Sequence, residues 1–252
     1  MKRLLVFLLV LYIGALSYLF ANQQAYIYFP QMTARVMVKS NYQLLNQGVE
    51  LNGWVLNPGQ ERAIIYFGGN AESVEGNLPL FEKLFDRYSV YLLAYRGYGE
   101  SEGDPSEKAL CSDALALYDR IIKHHREVAV IGRSLGSGVA TYLASERAVT
   151  KMALVTPFDS IEHLAADLYP VFPVRLLLQD KYDSVGRVGA ITAESLVLLA
   201  EQDRVVPRAY SENLIAGFAP TKLEVRVIEG ASHNSISSYE SYFSALDLFF
   251  NR

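Results

Sequence analysis

The segment Val128-Ala129-Val130-Ile131-Gly132-Arg133-Ser134-Leu135-Gly136-Ser137-Gly138 limits what this chain can fold into more than any other stretch. Its first four residues are β-branched or small and apolar, the pattern of a buried strand, and Leu135 to Glu146 reads as a helix. Between them stands Gly-x-Ser-x-Gly, too short for anything but a sharp strand-to-helix turn. Such a turn strains the backbone of its serine and aims the hydroxyl out of the sheet, while the glycines let strand and helix approach closely. The alternative is an ordinary serine cap on a glycine-tolerant turn.

The rest of the chain supplies the sheet that such a turn requires. Tyr42 to Leu45 and Gly48 to Leu56 read as antiparallel strands around Asn46-Gln47-Gly48. Apolar runs follow at Ala63 to Phe67, Val90 to Tyr95, Val128 to Ile131, Met152 to Val155, Leu196 to Ala200 and Leu223 to Ile228. Helical patterns fall between or after them at Glu72 to Phe85, Ser106 to Lys123, Leu135 to Glu146, Ala209 to Gly217 and Ser238 to Phe249. This alternation predicts an α/β fold, a mostly parallel central sheet with helices on both faces, in one domain over residues 22–252. The connection over residues 155–195 is long and rich in proline and aromatic residues, which predicts a small cap; one ragged crossover helix is the alternative.

A serine hydroxyl is a weak nucleophile and needs a base, and the base needs an orienting carboxylate. Both types stand in loops that follow later strands: Asp203 after Leu196 to Ala200, and His233 after Leu223 to Ile228. The order Ser134, Asp203, His233 suits a strand-turn-helix nucleophile. A surface carboxylate and a loop histidine bonded to backbone are the plain alternatives. Asp180 and Asp183 compete with Asp203 but precede the strand, while His124, His125 and His163 lie in or beside helical segments. An oxyanion needs backbone donors as well. The Leu135 N–H at the start of the helix is one candidate, and the Asn70 N–H in Gly68-Gly69-Asn70-Ala71 is the other.

A formal net charge of −4 offers no basic surface for nucleic acid. One cysteine, Cys111, permits no intrachain disulfide and reads as a small core residue; four scattered histidines form no zinc pattern, so neither a metal nor an organic cofactor is expected. Nothing points to an obligate protein partner. Lys2 and Arg3 precede an apolar run from Leu4 to Phe20, which predicts a membrane anchor or signal segment over residues 1–21. The positive pair places the N-terminus in the cytoplasm and the remainder on the periplasmic or extracellular side, secreted if the segment is cleaved. A helix that packs on the protein itself is the third reading.

Together these residues resemble the α/β-hydrolase superfamily and, within it, the Bem46-like branch that includes the ABHD12, ABHD13 and ABHD17 groups. The likeness runs from about residue 26 to the end. Arg96-Gly97-Tyr98-Gly99-Glu100-Ser101-Glu102-Gly103 matches a motif of that branch, with Ala94 where an aspartate is common. Gly68-Gly69-Asn70-Ala71 stands where the branch typically has His-Gly-Asn-Ala, so Gly68 replaces the histidine. Pro157-Phe158-Asp159-Ser160, Pro173-Val174-Arg175 and Lys181-Tyr182-Asp183-Ser184 are similar too, and the resemblance implies a short cap and an N-terminal membrane anchor.

The expected activity is that of a serine hydrolase cleaving carboxylic esters, lipid or thioesters among them, through an acyl-enzyme. Leu164, Leu168, Tyr169, Val171, Phe172 and Leu176 to Leu178 make the cap region apolar, which points to an acyl lipid or another hydrophobic small molecule as substrate. A peptidase or amidase using the same residues, and a non-catalytic hydrolase-like protein that binds at the membrane, are the rival classes.

Overall fold

The computed structural model describes all 252 residues. It opens with one long helix, α1 (Lys2–Ile27), which continues past the apolar run and is long and apolar enough to cross a membrane by length and composition. β1 (Tyr42–Asn46) and β2 (Val49–Leu56) then form an antiparallel hairpin. Its turn places both Gln47 (φ 54°) and Gly48 (φ 79°) in the left-handed region, the geometry that matches the twist of flanking strands, so Gly48 lies in the turn and β2 begins at Val49.

Six strands complete the sheet: β3 (Arg62–Phe67), β4 (Tyr88–Leu93), β5 (Glu127–Arg133), β6 (Lys151–Val155), β7 (Glu194–Ala200) and β8 (Leu223–Ile228). The spatial order is β1-β2-β4-β3-β5-β6-β7-β8. β3 to β8 are mutually parallel where they pair, and β2 runs antiparallel to β1 and β4. Ala63 to Phe67, Val128 to Ile131 and Met152 to Val155 are buried on both faces, which is why these strands read as continuous apolar runs. β8, at the edge, leaves Val225 and Val227 exposed.

Helices α2 (Leu78–Leu84), α3 (Glu107–Ile121) and α4 (Leu135–Glu146) follow β3, β4 and β5. The helix expected over Glu72 to Phe85 is divided into a 3₁₀ turn at Val74–Asn77 and α2. Pro79 explains the division, since proline has no N–H for a preceding carbonyl and is tolerated only in a first helical turn. The connection from β6 to β7 carries three short helices, α5 (Ile161–Leu168), α6 (Val174–Leu177) and α7 (Val185–Val188). Ser160 starts α5 by accepting the His163 N–H at 3.0 Å. α8 (Arg208–Ala216) follows β7, and α9 (Glu240–Asn251) closes the chain after a 3₁₀ turn at Ile236–Ser238, two residues later than the sequence pattern indicated.

Candidate active site

Three loops converge at the carboxyl end of the sheet. Ser134 sits between β5 and α4 with φ 49° and ψ −117°, a strained conformation for a residue with a side chain. The surroundings hold it there. Its N–H donates to the Val155 carbonyl at 2.9 Å, and its carbonyl accepts the Ser137 hydroxyl at 2.6 Å. A Cβ at Gly132 would lie 2.4 Å from the Gly136 carbonyl oxygen, and one at Gly136 would lie 2.1 Å from that of Phe67. Only hydrogen fits at either position, because β3, β5 and α4 approach backbone to backbone.

His233, five residues beyond β8, brings Nε2 within 2.9 Å of Ser134 Oγ. Its Nδ1 lies 2.8 Å from Asp203 Oδ2, three residues beyond β7. The other carboxylate oxygen accepts the Val205 and Val206 N–H groups at 2.9 and 2.8 Å. Both side chains are only 7% exposed, so water competes little for these bonds. An ionised carboxylate only accepts, so the proton of a neutral ring lies on Nδ1 and Nε2 is left as an acceptor for the serine hydroxyl. The structure thus brings together Ser134, His233 and Asp203.

The Gly68–Asn70 loop stands beside the serine; a Cβ on Gly69 would be 3.8 Å from that of Ser134. The Asn70 carbonyl accepts the Phe29 N–H at 3.2 Å and the Tyr98 hydroxyl at 2.7 Å, and its side-chain amide donates to the Ile27 carbonyl at 3.2 Å. The Asn70 N–H makes no hydrogen bond within the protein. Leu135 N–H belongs to the first turn of α4, where no intrahelical acceptor exists. Asn70, Ser134 and Leu135 line one cavity. A Cβ on Gly68 would lie 2.6 Å from Val74 Cγ1, so Val74 occupies the room a larger residue would need.

Two residues that the motifs did not single out tie these loops together. Arg133 Nη1 lies 3.5 Å from Glu72 Oε2, and its Nη2 donates to the carbonyls of His233 and Asn234 at 3.4 and 3.3 Å. Glu72 in turn accepts the Gly69 N–H at 2.8 Å, the Tyr66 hydroxyl at 2.6 Å and the Asn77 amide at 2.7 Å. Burial works against the Arg133 charge, but Glu72 and nearby tyrosine hydroxyls more than offset it and hold its pKa above the usual value. The available signal was faint: Arg133 fills the variable position of Gly-x-Ser, and Glu72 follows Gly-Gly-Asn-Ala.

The competing residues lie elsewhere. Asp180 is buried and accepts the Tyr28 hydroxyl at 2.9 Å, and Asp183 accepts the Gly186 N–H at 3.0 Å. His163 Nδ1 is 2.7 Å from Asp159 Oδ2, which also accepts the Asn213 amide. His125 lies between the Tyr91 hydroxyl and the Gln60 carbonyl, and His124 is exposed. Cys111 is buried in α3, and burial pushes its thiol up to about 12, so it stays protonated at neutral pH.

Above Ser134 opens a cavity of about 310 Å³ whose lining is overwhelmingly apolar. Phe158, Leu164, Leu168, Tyr169 and Phe172 from the β6–β7 connection form one side. Residues of α1 line it as well, next to the cap.

Residues 62–184 match the family model described as alpha/beta hydrolase fold. The chain is 32% identical over 236 residues to the uncharacterized protein Rv2307c of Mycobacterium tuberculosis, covering 88% of this chain and 84% of that one. It is 28% identical to the uncharacterized membrane protein YNL320W of Saccharomyces cerevisiae (79% and 74% covered). It is 23% identical to the protein bem46 of Schizosaccharomyces pombe (75% and 67%). Among solved structures, an enol-lactonase from Burkholderia xenovorans superposes with TM-score 0.67 at 17% identity, covering 84% of this chain and all of that one. The Pyrococcus furiosus esterase Pf2001 superposes with TM-score 0.66 at 19% identity, covering 89% and 93%. At such identities these two structures share the fold.

Proposed function

The chain belongs to the α/β-hydrolase family, in its Bem46/ABHD-like branch, and from that premise we propose that it is a serine hydrolase of carboxylic esters. The observation that carries the reading is the unbroken chain of bonds from Ser134 Oγ through His233 to Asp203, in a site where both supporting side chains are shielded from water. Ser134 attacks the acyl carbonyl as His233 Nε2 takes its proton, and Asp203 holds the ring in the tautomer that leaves Nε2 free. The protonated ring then gives that proton to the departing alkoxide. Water, deprotonated by the same nitrogen, attacks the acyl-enzyme and releases the carboxylic acid and the serine.

Negative charge that develops on the carbonyl oxygen is met by the Asn70 and Leu135 N–H groups, each worth a factor of about 10² to 10³ in rate by the measure of other oxyanion donors. Arg133 and Glu72 act at one remove, keeping the Gly69–Asn70 and His233 loops in register with Ser134. The apolar cavity suits a substrate with a hydrocarbon acyl chain, and the residues over 155–195 serve as its cap. Lys2 and Arg3 ahead of the apolar helix support an N-terminus in the cytoplasm and a catalytic domain on the periplasmic or extracellular face.

The test is covalent labelling of the detergent-solubilised full chain by a fluorophosphonate, which reports an activated serine whatever the substrate. Labelling of the wild type and its loss in Ser134→Ala is the expected result. Equal labelling of both proteins would remove Ser134 from the role, and no labelling of folded wild type would remove the activity.

A further inference from the structure

α1 is more than an appendage. Leu16, Leu19, Phe20, Gln23, Tyr26 and Ile27 all line the cavity above Ser134. Their spacing of three and four residues places them on one face of the helix. Leu16, Leu19 and Gln23 are half-covered on that face, whereas Leu4 to Leu11 are exposed all round. Polar contacts fasten the same face to the cap. The Gln23 side chain donates to the Leu177 carbonyl at 3.3 Å and accepts the Gln179 N–H at 2.7 Å. Higher up, the Tyr12 hydroxyl donates to the Val171 carbonyl at 2.8 Å, and its ring stacks on Phe172 at 5.8 Å.

Length then decides where the cavity stands relative to a bilayer. At about 1.5 Å per residue, α1 spans about 39 Å, but only about 15 Å of it, Lys2 to Leu11, precedes the first contact with the cap at Tyr12. A hydrocarbon core is about 30 Å thick, so the membrane must reach well past Tyr12 to cover the apolar run that ends at Phe20. The outer tip of the cap has the surface this demands: Leu168, Val171 and Leu176 are 73%, 69% and 85% exposed.

Resting on the ester-hydrolase reading above, we propose that α1 is the membrane-side wall of the acyl pocket, and that the acyl chain of a bilayer lipid enters sideways along Leu16, Leu19 and Phe20. The cap tip dips into the hydrocarbon edge beside it. The lipid headgroup can stay near the aqueous boundary while the ester reaches Ser134. The anchor thereby sets acyl selectivity as well as location.

Two measurements on the full chain in phosphatidylcholine bilayers test this. The first compares kcat/KM for 4-nitrophenyl esters from acetate to palmitate in wild type, Leu19→Trp and, on the uncovered stretch of α1, Leu8→Trp. Filling the wall at Leu19 lowers the palmitate-to-acetate ratio at least tenfold, by about 1.4 kcal/mol of transition-state binding. Leu8→Trp leaves the ratio unchanged. An unchanged ratio in Leu19→Trp, with ester turnover intact, overturns the wall and leaves the hydrolase reading standing. Absence of turnover on every ester by labelled wild type overturns the ester reading, and the acyl wall with it. The second attaches an environment-sensitive fluorophore at Leu176→Cys or, as reference, at Leu45→Cys on β1, exposed far along the sheet. Quenching by nitroxide-bearing acyl chains at position 176 alone is expected; equal, water-like emission at both sites would overturn sideways entry.

Discussion

The two sides of the cavity are built by opposite means. On the sheet side every side-chain polar atom of Ser134, His233 and Asp203 has a partner, and the glycines pack backbone against backbone. On the opposite side, α1 and the cap meet through apolar surface, one stacked pair and a few isolated hydrogen bonds, with large side chains left exposed. Chemistry demands position to within a fraction of an ångström, whereas a hydrocarbon chain demands only a dry, adaptable surface. On the proposed function, the difference gives rate to one side and selectivity to the other.

The sharpest blow to the sheet side is Asp203→Asn. The amide keeps the shape but donates toward Nδ1 and selects the wrong tautomer, so kcat on a short ester should fall by about 10⁴ while far-UV circular dichroism and unfolding midpoint stay close to wild type. A fall of less than tenfold would mean that the carboxylate is not orienting the base. Arg133→Met comes next. It cuts the tie between the Glu72 loop and the carbonyls of His233 and Asn234 without touching the reacting groups. Loosening two loops at once predicts a fall in kcat of about tenfold to a hundredfold with KM little changed. A change confined to KM would instead make Arg133 a substrate contact.

The same contrast governs what the sequence disclosed. β-branched runs, the glycines around Ser134 and the order Ser134, Asp203, His233 each follow from a local rule, so the strands and the loops bearing these residues are legible in the sequence. The wall formed by α1 follows no local rule. Leu16, Leu19 and Phe20 look like any lipid-facing residues, and the contacts that hold their helix against the cap, from Tyr12 and Gln23 to Val171, Leu177 and Gln179, join residues more than 150 positions apart. Arg133 and Glu72 were hidden for a similar reason: their ion pair joins the last residue of β5 to the loop that follows the neighbouring strand β3, and neither position carries a pattern of its own. Pro79 was visible, but its effect depended on where the preceding loop had to bend.

The smallest effect belongs to the outer surface of the cap, and it tests the contrast from the permissive side. Val171 is 69% exposed and does not line the cavity; only its backbone carbonyl is engaged, by Tyr12. Val171→Ser keeps that carbonyl and removes apolar surface that is not buried within the protein. In detergent, unfolding free energy should therefore change by no more than about 0.5 kcal/mol, and turnover of a short soluble ester should match wild type. A bilayer makes the same position count, because an exposed valine that dips into hydrocarbon gains solvation there that a serine loses. Partition of the full chain changes little, since α1 dominates it. The activity ratio between a bilayer-resident long-chain ester and the soluble one should fall by a few-fold. If that ratio and the detergent stability both stayed fixed, the cap tip would be ordinary aqueous surface, and the two sides of the cavity would differ in packing but not in the solvent they face.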